Sequence, residues 1–325
     1  MPVRISQKIV DLMREEQHDL PWLIRAVQAA IELELSTIPP YLCALWSILD
    51  DSLALSHVRN IVRDEMGHLG LMCNLLKALR GQPKIVSAAP RFPGPLPGGV
   101  RPALTVYLSG LTLDSVRDVY MEIEKPENPL ALFRLEETFT SIGKFYEAVR
   151  NAVAALRPPL SAAGQLTSPQ VEVKVLASIP GALAAIDRIR MQGEGTTTSP
   201  YFDGSLAHFY KFGEIFHGRM LVEAPPGTFA FTGDPVPFPN TLPMARVPEG
   251  GWPNRNPDGK GTLEKFNSTY RLVLEGLENA WTSGTQLTLD QTIELMATEL
   301  AGPAQTLMQT PRKSGGGNYG PDFVI

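Results

Sequence analysis

The sequence is poor in the residue types that build disulfide frameworks, zinc sites and nucleic-acid surfaces. Only two of its 325 residues are cysteines, Cys43 and Cys73, which excludes a disulfide framework and a cysteine-based metal site. Each cysteine lies inside a helical pattern, so we expect two buried free thiols and a reducing, cytoplasmic location. The net charge is −5 and the longest basic run is Arg312-Lys313, which argues against a nucleic-acid partner.

Long apolar runs are absent as well. No stretch reaches the roughly 18 apolar residues that a membrane-spanning helix needs. Residues 1–20 alternate charged and apolar side chains as in an amphipathic helix, which is not the pattern of a signal peptide. We therefore expect no membrane partner.

Helical periodicity dominates what is present, and it predicts an all-α fold. The 28 glycines and 29 prolines concentrate in a few loops, above all at 83–103 and 224–262. We expect a helical bundle over residues 1–222 and a C-terminal extension over 223–325, in which a Pro-rich loop and two helices pack on the bundle. The predicted helices cover about residues 5–17, 20–49, 56–79, 104–123, 131–156, 169–192, 204–221, 262–281 and 289–308.

Three ionisable residues interrupt the apolar stripes of two neighbouring helices. Glu34 takes the place of an apolar residue between Ile31 and Ile38, and Glu65 and His68 lie on the core-facing line of the next helix. Buried acids beside a histidine are costly unless a positive group compensates them. In a helical bundle, a glutamate with a Glu-x-x-His pair is half of a di-metal carboxylate site.

The second half of such a site has few candidates. Apart from His68 there are four histidines, and two of them, His18 and His57, lie at helix beginnings, which leaves His208 and His217. His217 completes another Glu-x-x-His with Glu214, whereas His208 follows shortly after the isolated Glu194. Periodicity alone leaves both histidines open.

Six segments carry a resemblance to a known family. Their order and spacing over residues of about 20–220 resemble the ferritin-like domain family named after iminophenyl-pyruvate dimer synthase, which also occurs at the N-terminus of violacein- and rebeccamycin-pathway proteins. The chain is similar to standalone members and lacks the additional sequence of the larger pathway proteins. The segments are AIELELSTIPPYLCALWSI (30–48), VRDEMGHLGLMCNLLKALRG (62–81), YMEIEKPE (120–127), SIGKFYEAV (141–149), QGEG (192–195) and LAHFYKFGEI (206–215).

The resemblance implies a ferritin-like four-helix bundle with extra helices and a metal centre inside it. Carried over residue by residue, the implied ligands are Glu34, Glu65 and His68 in one half and Glu147, Glu194 and His208 in the other. Only the resemblance makes Glu147 a ligand, because its periodicity predicts an exposed side chain. Lys144 stands where the pattern leads us to expect an acid, and Glu214 with His217 remains the substitute pair.

The resemblance also implies a cofactor and a function. The cofactor is iron, as two ions, with manganese or another divalent metal as the alternative. The implied protein is a di-iron-type oxidoreductase or imine-coupling enzyme that acts on a small, amino-acid-derived molecule in secondary metabolism. A non-catalytic ferritin-like protein, either metal-binding or a structural partner with segment 224–262 as its interaction surface, is the alternative. Exposed faces of the C-terminal helices are available for a homodimer.

Overall fold

The computed structural model describes residues 8–126, 141–196, 198–225 and 227–325, and this part of the chain is mostly helical. Among these residues no helix is both long and apolar enough to cross a membrane. The helices are α1 (Lys8–Arg14), α2 (Leu20–Ser47), α3 (Leu53–Ala78), α4 (Leu113–Ser115), α5 (Met121–Glu124), α6 (Ile142–Leu156), α7 (Ile179–Glu194), α8 (His208–His217), α9 (Thr262–Ser283), α10 (Gln286–Glu299) and α11 (Ala301–Met308).

The longest helices, α2 and α3, pack along each other and form the centre of the bundle. Asp19 caps α2 by accepting a hydrogen bond from the backbone N–H of Trp22 at 2.8 Å, which confirms the predicted start. Ser52 caps α3 in the same way. Both cysteines lie on this pair as buried free thiols, as expected.

The predicted helix at 104–123 begins later and contains a π-helical turn. Thr112 and Ser115 form a capping box that sets the start of α4. The π-helical turn Val116–Tyr120 then joins α4 to α5. Such a turn adds a residue to the helical path and is frequent at functional sites. Here it precedes Glu124, which is buried at the end of α5.

Helices α6 and α7 start later than the periodicity predicts. Ser141 caps α6, and the part of the predicted helix at 131–140 lies outside the described residues. Helix α7 begins at Ile179 rather than at 169, because Ser178 is its N-cap and Pro180 occupies its first turn. Helices α6 and α7 pack against each other.

A single helix is predicted over residues 204–221. The structure has a shorter helix there, α8, with a small antiparallel sheet on either side of it in the chain. Strands β1 (Tyr201–Phe202) and β2 (Ser205–Leu206) pair through a two-residue turn in which both central residues have positive φ. Gly218, at φ 68°, ends α8 in the left-handed conformation. Strand β3 (Arg219–Glu223) then pairs with β4 (Phe229–Pro235), so the segment 224–262 is not entirely irregular, in contrast to the prediction.

The C-terminal helices pack against the central pair. Helix α9 contacts α3, and α11 contacts α2. The single predicted helix at 289–308 is two helices, α10 and α11, which meet at Leu300. The domain boundary at residue 222 stays a prediction.

Candidate metal centre

Two groups of buried acids and histidines meet between α2, α3, α5 and α8. The first group contains Glu34, Glu65 and His68, and the second contains Glu65, Glu124 and His208. In each group the candidate ligand atoms lie within 4.8 Å of one another. Because Glu65 belongs to both groups, the arrangement is that of two neighbouring ion sites with one shared carboxylate.

Four different helices supply these side chains. Glu65 and His68 are three residues apart on α3 and therefore project from the same face. Glu34 projects from α2 toward that face, while Glu124 ends α5 and His208 begins α8. The site therefore forms only when α5 and α8 are packed against the central pair.

His68 turns one ring nitrogen toward the first group. Its Nδ1 lies 3.5 Å from Glu34 Oε2 and 3.4 Å from Glu65 Oε1. Its Nε2 lies 2.8 Å from Gln192 Oε1, to which it donates a hydrogen bond. That bond orients the ring and leaves Nδ1 for the interior of the group.

His208 is arranged in the same way in the second group. Its Nδ1 lies 3.1 Å from Glu65 Oε1 and 3.6 Å from Glu124 Oε2, and its Nε2 lies 3.2 Å from Asp64 Oδ2. His208 is completely buried, and within the described part of the chain its Nδ1 makes no hydrogen bond of acceptable geometry. Its contact with Glu65 is therefore an ion pair of poor hydrogen-bond geometry, and a buried nitrogen without a good hydrogen bond is costly.

Hydroxyl groups orient the three central carboxylates. Thr37 Oγ1 donates to Glu65 Oε2 at 2.7 Å, and Tyr41 Oη donates to Glu124 Oε1 at 2.6 Å. Tyr146 Oη donates to Glu34 Oε1. Each of these carboxylates thus has one oxygen engaged by a hydroxyl group, and its other oxygen faces a histidine Nδ1.

The electrostatics of the group are set by burial and by its mixed charges. Burial and the neighbouring charge of Glu65 raise the pKa of Glu34 to about 7, although His68 opposes them. Burial also disfavours the charged form of Glu65, but the imidazoles of His208 and His68, which lie within 3.4 Å of its carboxylate, hold its pKa below the usual value. Burial lowers the pKa of His208, yet Asp64 and two glutamates of the group raise it to about 10. The acids and imidazoles therefore compensate each other in the absence of a cation.

The donor set fits a transition metal. Carboxylates combined with imidazole suit iron and manganese, and each buried His Nδ1 faces the carboxylates of its group. The unpartnered Nδ1 of His208 is an independent observation on the same point, because a metal ion would satisfy it. The residues present therefore fit a two-metal centre.

Comparison with known proteins identifies the family. The family model described as "Ferritin-like" matches residues 27–217, which is more than half of the chain. The chain belongs to the ferritin-like family. The matched range includes every residue of both candidate metal-binding groups of this ferritin-like protein.

A solved structure has the same fold. It is the crystal structure of a ferritin-like protein from Caulobacter vibrioides, which is 24% identical in sequence with a TM-score of 0.63. The likeness covers 94% of this chain and 98% of that one, and at this identity it shows the fold alone. None of the curated proteins compared matches the chain. The narrower resemblance to the iminophenyl-pyruvate dimer synthase type stays a proposal.

The structure brings four of the six residues predicted for the ferritin-like site into the two groups. They are Glu34, Glu65, His68 and His208. Glu194 lines the same cavity of about 30 Å³ as the first group but belongs to neither group of described residues. Glu147 is placed elsewhere and is exposed. Helix α6 turns Tyr146 inward, and one residue further along a helix points about 100° away.

Gly143 is the residue of helix α6 that lies against the carboxylate of Glu194. A Cβ atom on Gly143 would lie 2.6 Å from both carboxylate oxygens of Glu194, closer than real side-chain contacts. Gly143 thus leaves room for this carboxylate beside the first group. The side chain of Glu194 is half-buried, so it lies where the cavity approaches the surface.

We expect the Gly143→Ala substitution to displace Glu194 and to weaken metal binding by about 10-fold, since changes next to ligands typically cost 10–100-fold. Metal affinity is measured by competition with a chromophoric chelator. Gly302→Ala is the matched control, because nothing lies within 4 Å of its added methyl group. Equal affinities in the two variants would contradict a role of Glu194 at the centre.

The substitute pair lies outside the centre. Glu214 accepts hydrogen bonds from His57 Nε2 at 2.7 Å and from the backbone N–H of Leu221 at 2.8 Å. The ring of His217 stacks on Phe231 with centroids 4.3 Å apart. These contacts tie α8 to α3 and to the β3–β4 sheet, so this Glu-x-x-His has a structural environment.

Sequence reasoning missed Glu124. Lys125 and Pro126 follow Glu124, so the sequence predicts that Glu124 ends a helix. An acid at a helix C-terminus is electrostatically unfavourable unless it is solvated. The available signal was its place in YMEIEKPE (120–127), one of the six segments that carry the family resemblance. Packing of α5 against α8 turns this helix end inward and buries the carboxylate.

Proposed function

We propose that this protein binds two metal ions, iron in its active form, and oxidises a small organic molecule. The observation that carries the proposal is the shared Glu65 between two buried Glu/His groups, one of which contains the unpartnered Nδ1 of His208. Glu34 and His68 would bind one ion, Glu124 and His208 would bind the other, and Glu65 would bridge them. Glu194 would complete the first site.

Charge supports two divalent ions rather than one. When ionised, Glu34, Glu65, Glu124 and Glu194 carry four negative charges, which two divalent cations balance. Asp64 contacts His208 but belongs to neither group, and its charge is balanced separately. The buried Lys211 places its Nζ 3.9 Å from Asp64 Oδ2. Buried charges are tolerated when they are paired in this way.

A bound iron pair supplies the reduction of O₂ coupled to the oxidation of a second molecule. The residues of the chain orient and isolate that chemistry. Tyr41, Thr37 and Tyr146 fix the carboxylates by hydrogen bonds. The apolar side chains of Leu33, Ile123, Ile142 and Ile189 form part of the cavity wall.

The substrate class rests on the resemblance and on one side chain. Arg190 lines the cavity and is half-buried, and its long contact with Asp187 at 4.0 Å leaves the guanidinium able to bind the carboxylate of an amino-acid-derived molecule. A role in secondary metabolism, a cytoplasmic location and a homodimer are parts of the same proposal. Exposed Leu272 and Leu287 on α9 and α10 are apolar side chains available to such a dimer.

One observation favours the alternative of a ferritin-like protein that binds metal without oxidising an organic molecule. The cavity at the centre has a volume of only about 30 Å³, which is room for one or two water molecules. In that case the loaded protein would consume O₂ without converting any added amino-acid-derived compound.

Anaerobic loading with Fe(II) tests the proposal. We expect two iron ions per chain after desalting, followed by an absorbance change when O₂ is admitted. Mass spectrometry of a mixture of amino acids and imines incubated with the loaded protein then looks for an oxidised product. Fewer than two iron ions, or a loaded protein that is inert to O₂, would overturn the proposed oxidoreductase.

A further inference from the structure

The two histidines of the metal centre have different partners at their outer nitrogens. His208 Nε2 lies 3.2 Å from a carboxylate oxygen of Asp64, whereas His68 Nε2 lies 2.8 Å from the side-chain amide of Gln192. An ionised carboxylate can only accept a hydrogen bond, so Asp64 requires a proton on His208 Nε2. An amide carries both an oxygen and an NH₂ group, so Gln192 by itself could either accept from His68 or donate to it.

The orientation of the Gln192 amide decides whether His68 is able to bind a metal ion. If the NH₂ group faced His68, Nε2 would have to accept, and the neutral ring would carry its proton on Nδ1. That proton would occupy the nitrogen that faces Glu34 and Glu65 in the first group. If the amide oxygen faces His68, Nε2 carries the proton and the lone pair of Nδ1 is available to the metal ion.

Arg188 determines which end of the amide faces His68. Its Nε donates a hydrogen bond at 3.2 Å to Oε1 of Gln192, the same atom that lies against His68 Nε2. An arginine side chain has only donors and is not deprotonated in proteins. The atom of Gln192 that Arg188 and His68 share must therefore be the oxygen, because an NH₂ group in that place would face the N–H of Arg188.

Arg188 is held in place by a turn that packs beside His68. The carboxylate of Glu172 lies 2.5 Å from a guanidinium nitrogen of Arg188, whose side chain is only 22% exposed. Glu172 directly follows the 3₁₀ turn Pro169–Val171 and has a left-handed φ of 57°. This turn packs against α3 at Gly67, where a Cβ atom would collide with the backbone of the turn. Since Gly67 directly precedes His68, the segment that carries Glu172 is anchored next to the ligand.

We propose that Arg188 is a positioning residue of the metal centre, which acts through Gln192 to keep Nδ1 of His68 free for a metal ion. This inference rests on the proposed two-metal function. Arg188 supplies no ligand atom, and its positive charge repels a cation. A loss of metal affinity on removal of Arg188 would therefore have the opposite sign to the effect of its charge, as expected if Arg188 acts through its hydrogen bond.

A double-mutant cycle with Zn(II) tests this role, with affinity measured by competition with a chromophoric chelator. Arg188→Met removes the donors and should weaken zinc binding by about 10-fold, the lower end of the effect of residues that orient a ligand. Gln192→Glu puts a carboxylate beside His68, which accepts in either orientation. In the Gln192→Glu background, Arg188→Met should therefore no longer weaken zinc binding. A merely structural role of Arg188 would give equal losses in both backgrounds.

Nitrogen-15 NMR of the zinc-loaded protein reads the ring directly. We expect zinc on Nδ1 and a proton on Nε2 of His68 in the wild type. In Arg188→Met at the same zinc concentration, a fraction of His68 should lack zinc and carry a proton on Nδ1. Arg150→Met is the matched control, because Arg150 pairs with Asp187 at 2.7 Å on the neighbouring helix, and it should behave like the wild type in both measurements.

The possible outcomes separate this role from the metal centre itself. A wild-type protein that binds no zinc would overturn the proposed metal function and this role with it. If the wild type binds zinc, but Arg188→Met keeps its affinity or loses it equally in the Gln192→Glu background, the positioning role is overturned and the metal centre stands. A proton on Nδ1 of His68 in the zinc-loaded wild type would overturn the role as well.

Discussion

Replacement of Glu65 by glutamine is expected to abolish the binding of both metal ions. Glu65 is the one acid that belongs to both groups, and its Oε1 lies 3.4 Å from His68 Nδ1 and 3.1 Å from His208 Nδ1. Glutamine keeps the volume of the side chain but removes the negative charge. Loss of a neighbour that only orients a ligand costs 10–100-fold in metal affinity, so loss of the shared ligand should cost more than about 100-fold.

The measurement is iron per chain by elemental analysis after anaerobic loading. We expect two iron ions in the wild type and fewer than one in Glu65→Gln. Glu147→Gln makes the same chemical change on an exposed residue of α6 and should retain both ions. If Glu65→Gln kept its full metal content and had a circular dichroism spectrum like that of the wild type, Glu65 would not be the shared ligand.

Replacement of His208 by glutamine is expected to lower the metal content from two ions to one. His208 is a member of the second group alone, where its Nδ1 faces Glu65 and Glu124. Glu34 and His68 remain in this variant, so the first site keeps two of its own ligands besides the shared carboxylate. The affinity of the second site should fall by more than about 100-fold.

His217→Gln is the matched control, because His217 lies on the same helix but stacks on Phe231. Crystals soaked with iron, with anomalous scattering measured at the iron edge, should show both ions in this control and one ion in His208→Gln. If His217→Gln loses an ion and His208→Gln does not, the second half of the site has been assigned to the wrong end of α8.

Part of the site could be predicted from local periodicity because three ligands lie on regular helices. Glu34, Glu65 and His68 fall on stripes of apolar residues, and such stripes face the core whichever partner covers them. Whether each of these three side chains is buried therefore depends only on its position along its own helix. That the two helices then face each other follows from their short connection at residues 48–52.

The other half depends on irregular structure that periodicity does not describe. Glu124 lies behind a π-helical turn, which changes the direction in which the following residues point. His208 is the first residue of α8, directly after a two-stranded turn, so no stripe precedes it. Glu147 illustrates the opposite case, because its exposed position agrees with its periodicity and disagrees with the family resemblance.

Sequence alone was sufficient for the mostly helical fold, the two buried thiols and the meeting of Glu34, Glu65 and His68, since each depends on contacts within one helix or between two adjacent ones. Tertiary structure decided that His208 rather than His217 joins Glu65, that Glu124 rather than Glu147 faces it, and that an apolar cavity lies between the central helix pair and the C-terminal helices. These features join residues as far apart in the chain as Leu35 and Leu300. Their geometry is set by how helices pack, and a pattern with a period of 3.6 residues carries no information about that packing.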